Sequence, residues 1–180
     1  MTPMPALLEI EDLKVHFPLR RGLFGRPSGA VRAVDGVTLS MARGETLGLV
    51  GESGCGKSTL GNAILRVVEP SSGAIRLAGI DLARLEGEEL RQARRRAQMV
   101  FQDPFASLDP RMRIGDSIGE PLLVHGLARG EELQARVGEL LRRVGLEPSH
   151  AARYPHEFSG GQRQRIVIAR ALALSPDLVI

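Results

Sequence analysis

Gly51-Glu52-Ser53-Gly54-Cys55-Gly56-Lys57-Ser58 decides the fold. Gly51 and Gly56, five positions apart, the second leading a Gly-Lys-Ser with a lysine and a hydroxyl side by side, make the eight-residue phosphate-wrapping loop. Its glycines let the backbone curl so that successive N–H groups point at phosphate oxygens. A helix starting near Ser58 and Thr59 adds its positive dipole end. Lys57 is placed for the β- and γ-phosphates and Ser58 for a magnesium ion. Only two lysines, Lys14 and Lys57, occur among 24 basic residues. A chain that otherwise uses arginine keeps a slim ammonium where a planar guanidinium would not fit. Cys55 fills a variable position of the motif. It is also the chain's single cysteine, a thiol whose alkylation is expected to block a bound phosphate.

The flanks suit such a loop. Glu45–Val50 is short, apolar and followed at once by glycine, the pattern of a buried strand. Ser58–Val68 reads as a helix with Leu60, Ile64 and Val67 on one side. Further out, Leu8–Phe17, Val31–Ser40 and Ala74–Ile80 read as strands, with Pro18–Ala30 a glycine- and proline-rich loop. Glu86–Arg95 reads as a charged surface helix and Met99-Val100-Phe101 as a short buried strand. From Pro104 to about Pro155 the pattern is helical and rich in turns. Its clearest element is Glu131–Val144, closed by Gly145 and Pro148. A mostly apolar helix over Gln162–Leu174 follows, and Asp177-Leu178-Val179-Ile180 reads as the start of a buried strand.

The 180 residues suffice for one α/β core with an insertion. Hydrophobic residues make up 43% and charged residues 25%, the balance of a globular protein. One cysteine cannot form an internal disulfide. Nothing at the N-terminus resembles a signal peptide, and no apolar run reaches the ~18 residues that span a bilayer. Membrane association is therefore expected to run through a partner, at the cytoplasmic face. The net charge of +3 does not argue for nucleic acid, and Arg94-Arg95-Arg96 lacks the aromatic interleaving of a single-strand binder.

A second motif narrows the class. In Phe158-Ser159-Gly160-Gly161-Gln162, Ser159 is placed to cap the following helix while the glycine N–H groups face outward, a second anion site. With the phosphate loop some hundred residues earlier, the sequence resembles the ATP-binding cassette family, whose signature is Leu-Ser-Gly-Gly-Gln; Phe158 stands here for the leucine. The resemblance covers the whole chain. It implies a P-loop NTPase (RecA-like) α/β core over residues 1–103 and 159–180, opening with antiparallel β strands. A helical subdomain is inserted over residues 104–158.

The resemblance also implies roles. Gln102 matches a glutamine that contacts Mg²⁺ and the attacking water, and Phe17 falls where an aromatic stacks on adenine. Phe17 also reads simply as a strand-end residue. Ligands are expected to be ATP and Mg²⁺, held by Gly51, Ser53, Gly54, Cys55, Gly56, Lys57, Ser58 and Thr59. Ser159, Gly160, Gly161 and Gln162 are expected to close on a nucleotide carried by a second, non-identical ATPase subunit paired head to tail. Two permease subunits and, indirectly, a solute-binding protein complete the implied assembly.

The stretch Phe101-Gln102-Asp103-Pro104-Phe105-Ala106-Ser107-Leu108-Asp109-Pro110 is similar to ATPases of bacterial oligopeptide and dipeptide importers. So are His16-Phe17-Pro18 and Arg153-Tyr154-Pro155-His156-Glu157-Phe158. Nickel and glutathione importers share much of this pattern, and a soluble, non-transport cassette ATPase is the further alternative. In the family an Asp-Glu pair follows the last strand and a histidine follows later. The sequence is thus expected to be incomplete at its C-terminus, and the 180-residue chain alone to be hydrolytically inactive.

Overall fold

The computed structural model describes residues 6–21 and 26–180. The reading of residues 1–5, and of the middle of the Pro18–Ala30 stretch, lies outside them. The chain divides into two compact units, Met1–Arg94 and Arg95–Ile180.

The first unit is built on a long hairpin. Strand β1 (Ala6–Arg21) pairs antiparallel with β2 (Arg26–Ala42) and, on its other side, with β3 (Ser72–Leu77); β4 (Ile80–Asp81) extends β3, giving the order β2-β1-β3-β4. Leu8 faces Leu77 and Ile10 faces Ile75 across the ladder. These four side chains are buried together with Leu13 and Val15, so the apolar face of β1 decides the register. A register shift between Ile10 and Leu13 puts Asp12 at positive φ and keeps Leu13 and Val15 inward. Helix α1 (Lys57–Ile64) buries Leu60, Ala63 and Ile64. It ends at Ile64, with Leu65 as its C-cap and Arg66 just beyond at φ 55°. Arg94, the last residue of α2 (Gly87–Arg94), donates to the carbonyls of Leu65 and Arg66 just beyond that helix.

The second unit opens with β5 (Ala97–Gln98), which pairs in parallel with β6 (Leu178–Val179). Arg96 pins that ladder through an ion pair to Asp177 at 2.6 Å. Three helices pack on one another: α3 (Ile114–Val124), α4 (Gly130–Arg143) and α5 (Gly160–Leu172). Their core contains Ile114, Ile118, Leu122, Leu141 and Ile166, all fully buried. Ile114, Ile118 and Leu122 recur every four residues and form one stripe of α3. Burying three such side chains contributes about 1.5–3 kcal/mol each, which outweighs the ~3 kcal/mol cost of Pro121 inside the helix.

The mixed α/β class, the antiparallel opening strands and the helical 114–172 region agree with the sequence reading. Three local readings are corrected. Glu45–Val50 is not a strand: Glu45 is taken up in a turn with Ala42, through bonds at 3.3 Å and 2.7 Å. No described strand pairs with the residues after it, and Val50 is 95% exposed. A parallel strand has no stability apart from its neighbours, so apolar composition alone does not form one.

Pro18–Ala30 is not all loop. The hairpin runs on to Arg21 and resumes at Arg26, with Pro18 opposite Ala30. Beyond Lys14 the ladder is two-stranded, and an edge tolerates the missing proline N–H. Finally, the ladder read at Met99-Val100-Phe101 sits two residues earlier, at Ala97–Gln98. It continues through the Ile180 N–H to Gln98 carbonyl bond of 2.9 Å and the Val100 N–H to Ile180 carbonyl bond of 2.8 Å.

Candidate functional site

In the first unit the loop from Gly51 to Ser58 wraps around the Lys57 ammonium. Lys57 Nζ donates to the carbonyls of Gly51 at 2.7 Å and Glu52 at 2.5 Å, and lies 3.4 Å from Cys55 Sγ. The ring is closed by the Cys55 N–H on the Glu52 carbonyl. Gly56 is the N-cap of α1 at φ 94°, and no side chain caps the helix. The first-turn N–H groups of α1, at Lys57, Ser58 and Thr59, thus start a helix without a side-chain acceptor.

Glycine is required at two points. A Cβ on Gly51 would lie 2.6 Å from Cys55 Sγ, and one on Gly56 would lie 2.0 Å from the Ala33 carbonyl oxygen of β2. At Gly56 the loop is therefore pressed onto the hairpin with no room for a side chain, while at Gly51 the crowding is with the loop's own Cys55 sulfur. Ser53 and Gly54 form its exposed tip.

Beside the loop is a cavity of about 370 Å³ whose walls include Arg32, Val34, Asp35, Val50, Gly56 and Lys57. Arg32 and His16 stand opposite one another across the hairpin, and both hold the Asp35 carboxylate. His16 Nε2 meets Oδ1 at 2.9 Å and Arg32 Nη1 donates to Oδ2 at 3.4 Å. The hydrogen bond from His16, then the Arg32 charge, keep Asp35 below the ordinary aspartate value of 3.8. Phe17 stands on β1, 43% exposed, and is not among the wall residues of this cavity.

In the second unit Ser159 caps α5 in a reciprocal box. Its Oγ accepts from the Gln162 N–H at 3.3 Å, and its own N–H donates to Gln162 Oε1 at 3.0 Å. Phe158, buried in the helical core with its ring edge-on to His150 at 5.4 Å, anchors the turn from behind. That explains how an aromatic residue serves at this position. Gly160 and Gly161 are exposed, with open space where a Cβ would be. Gln102 is exposed on a bend ahead of a turn that Asp103 caps through the N–H groups of Phe105 and Ala106.

Electrostatics set these two helix starts apart. Among the described α-helices, α2 carries Glu88 and Glu89 in its first turn, α3 carries Asp116, and α4 carries Glu131 and Glu132. Helices α1 and α5 carry no acid there. A carboxylate at an N-terminus satisfies the helix dipole from within the chain; without one, the positive end is left for an external anion. No group of three His, Cys, Asp or Glu that could hold a metal occurs among the described residues. This donor set would suit a magnesium ion carried in on phosphate oxygens, with the Ser58 hydroxyl in the first turn of α1 as a protein oxygen beside it.

The paired arrangement around Asp35 had no signature in the sequence, because its members lie 19 and 3 residues away and meet only through the hairpin register. The same holds for two arginines of α5, Arg163 and Arg170, which reach back to Phe105 and Ser107.

Known proteins give a consistent comparison. The family model described as ABC transporter matches residues 34–180. An oligopeptide transport ATP-binding protein of Bacillus subtilis, AppF, is 56% identical over 175 residues, which is 97% of this chain and 53% of that protein. A glutathione import ATP-binding protein of Pectobacterium atrosepticum, GsiA, is 56% identical over 174 residues, covering 97% of this chain and 28% of that protein. The chain thus spans about half the length of the first relative and less of the second. Among solved structures, the dimeric post-hydrolysis state of the ATP-binding cassette MJ0796 bound to ADP and Pi superposes with a TM-score of 0.81. It is 30% identical and covers 96% of this chain and 72% of that one.

Proposed function

This chain belongs to the ABC transporter family, and from that premise we propose that it is the ATP-binding part of an importer subunit that couples ATP binding and hydrolysis to uptake of short peptides. The observation that carries the reading is the pair of glycine-flanked helix starts, α1 and α5, which alone among the described α-helices lack a first-turn acid. One is a complete phosphate loop; the other is a capped Ser-Gly-Gly-Gln turn facing solvent.

In this account the phosphate chain of ATP draws Lys57 away from the Gly51 and Glu52 carbonyls that now hold it. The ammonium then neutralises the β- and γ-phosphates. The N–H groups at Gly54, Gly56, Lys57 and Ser58 wrap the phosphate oxygens, while Ser53, Cys55 and Thr59 complete the loop around them. Phe17 packs on the base. A magnesium ion, when bound with the nucleotide, would supply charge neutralisation at the phosphates; Ser58 is the residue proposed to hold it, and Gln102 is proposed for the same role. Ser159, Gly160, Gly161 and Gln162 close on the γ-phosphate of a nucleotide bound by a second ATPase subunit. Because ATP binds the closed pair better than the open one, its binding shifts the population and moves the permease partners. The subunit works at the cytoplasmic face, held by those permeases. In keeping with this, no described helix is long and apolar enough to cross a membrane. The inserted helical subdomain, residues 104–158, is the part offered to the permeases, between the core segments 1–103 and 159–180.

Oligopeptides are the first substrate class, from the relative that shares 56% identity and of whose own length the chain covers 53%. Glutathione, itself a tripeptide, is the second reading, from a relative of equal identity. The test is uptake of labelled peptides and of labelled glutathione into vesicles carrying the full-length protein with its permeases. ATP-dependent accumulation of one of them is expected. Accumulation of neither, in vesicles that still hydrolyse ATP, contradicts the substrate assignment.

A further inference from the structure

The loop that follows Gln102 is bolted to α5 at two points one heptad apart. The Arg163 guanidinium lies over the Phe105 ring, 4.3 Å from its centroid, while its Nε donates to the Phe158 carbonyl at 3.1 Å. Seven residues on, Arg170 Nη1 donates to the Ser107 carbonyl at 2.8 Å. Positions 163, 166, 167 and 170 share one helix face. The two apolar members, Ile166 and Val167, are buried in the core that also holds Leu108. The loop is stiff in its own right: Asp103 Oδ1 accepts from the Phe105 N–H at 2.8 Å, and Ser107 Oγ donates to the Asp103 carbonyl at 2.6 Å. Yet Phe101 and Phe105 are 54% and 60% exposed. Phe105 is therefore fixed less by burial than by the cation above it.

We propose that Arg163 is a positioning residue: it ties the Ser159–Gln162 turn to the exposed Phe101–Phe105 edge, so that nucleotide engagement at the turn resets Phe105. This rests on the reading of Ser159–Gln162 given above. Arg163 lies one residue past the turn, and its own N–H donates to the Ser159 carbonyl at 2.9 Å. A shift of the turn toward a nucleotide thus carries the guanidinium with it. The ring follows, because a cation–π contact is directional and attractive only over the face. Arg170 holds Ser107 in place meanwhile, so the movement is felt at Phe105 rather than spread along the loop.

The 180 residues contain no tryptophan, which makes Phe105→Trp a direct reporter, and indole is the best cation–π partner. The experiment uses the full-length protein assembled with its partner subunits, read as a difference from the same assembly without the substitution. Mg·ATP is expected to change the fluorescence of the Phe105→Trp protein. Adding Arg163→Gln is expected to reduce that change roughly two- to five-fold, the population shift matching loss of an exposed cation–π contact. Adding Arg163→Lys, which keeps a cation, is expected to retain most of it. Arg170→Gln is a second variant should Arg163→Gln fail to fold, and it is expected to broaden the response rather than abolish it. Binding of a fluorescent ATP analogue is measured in parallel. Normal binding with identical responses from the Gln and Lys variants overturns the inference and leaves the functional reading intact. Absence of ATP binding in the parent overturns both.

Discussion

Replacing Gly56 by alanine tests the packing of the phosphate loop on the hairpin. Two separate penalties apply. At φ 94° the backbone is in the left-handed region, which costs an L-residue roughly 1–2 kcal/mol. The new Cβ would also stand 2.0 Å from the Ala33 carbonyl oxygen, where real Cβ contacts stay beyond 3.0 Å. Backbone lies on both sides of that clash, so the loop must retreat by about 1 Å. A displacement of that size at a reacting centre costs on the order of 10²-fold in rate. Gly79→Ala is the control, because φ is 80° there with nothing within 4 Å. It carries the strain without the clash and lies outside the loop. In the full-length protein both variants are expected to melt at lower temperature. Only Gly56→Ala is expected to lose ATP turnover, by roughly a hundredfold. Equal turnover in the two variants would refute the argument that close approach, rather than backbone freedom, is why glycine stands at 56.

Three further predictions follow from the same geometry. Ser159→Ala removes the Oγ that accepts from the Gln162 N–H; a thermal or denaturant melt is expected to show a loss of about 0.5–2 kcal/mol, and no loss would mean the capping box is idle. Asp35 has a folded-state pKa below its ordinary value of 3.8, so its contribution to stability is complete above that pH and is lost as pH falls through the lower folded value. A carboxylate NMR titration should show Asp35 moving back toward 3.8 in His16→Ala, and less so in Arg32→Ala; an unmoved midpoint in both counts against the carboxylate's two-sided hold. Alkylating Cys55, whose sulfur sits against Gly51 and 3.4 Å from Lys57 Nζ, is expected to abolish nucleotide binding, with ATP protecting the thiol. Unimpaired binding after complete modification would contradict it.

What the sequence revealed and what it hid divide along physical lines. The phosphate loop and the Ser159–Gln162 turn were legible because each is local: glycine at required positions, a cap, and a helix start within eight residues. Helix α4 was legible because Leu133, Val137, Leu140, Leu141 and Val144 repeat with helical period. Helix α3 was read only as part of a helical, turn-rich stretch, and its bounds rest on the buried stripe of Ile114, Ile118 and Leu122, which outweighs Pro121 within it. Glu45–Val50 shows the opposite failure. Its apolar run promised a strand, but a strand is a relation between segments, and no described strand pairs with it. The Asp35 group and the Arg163–Phe105 contact depend on register and on packing across tens of residues. No motif announces such contacts, since neither arginine belongs to a pattern that chemistry alone would single out.

The central claim is that Lys57 and its loop hold the phosphates whose hydrolysis drives transport. The most direct measurement is ATP hydrolysis by the full-length protein assembled with its permeases, compared with the same assembly carrying Lys57→Ala. Losing a charged hydrogen-bond donor of about 1.5–3 kcal/mol predicts an affinity for ATP weakened roughly 10- to 100-fold, with turnover lost. Turnover at the parent rate in the Lys57→Ala assembly would contradict the account.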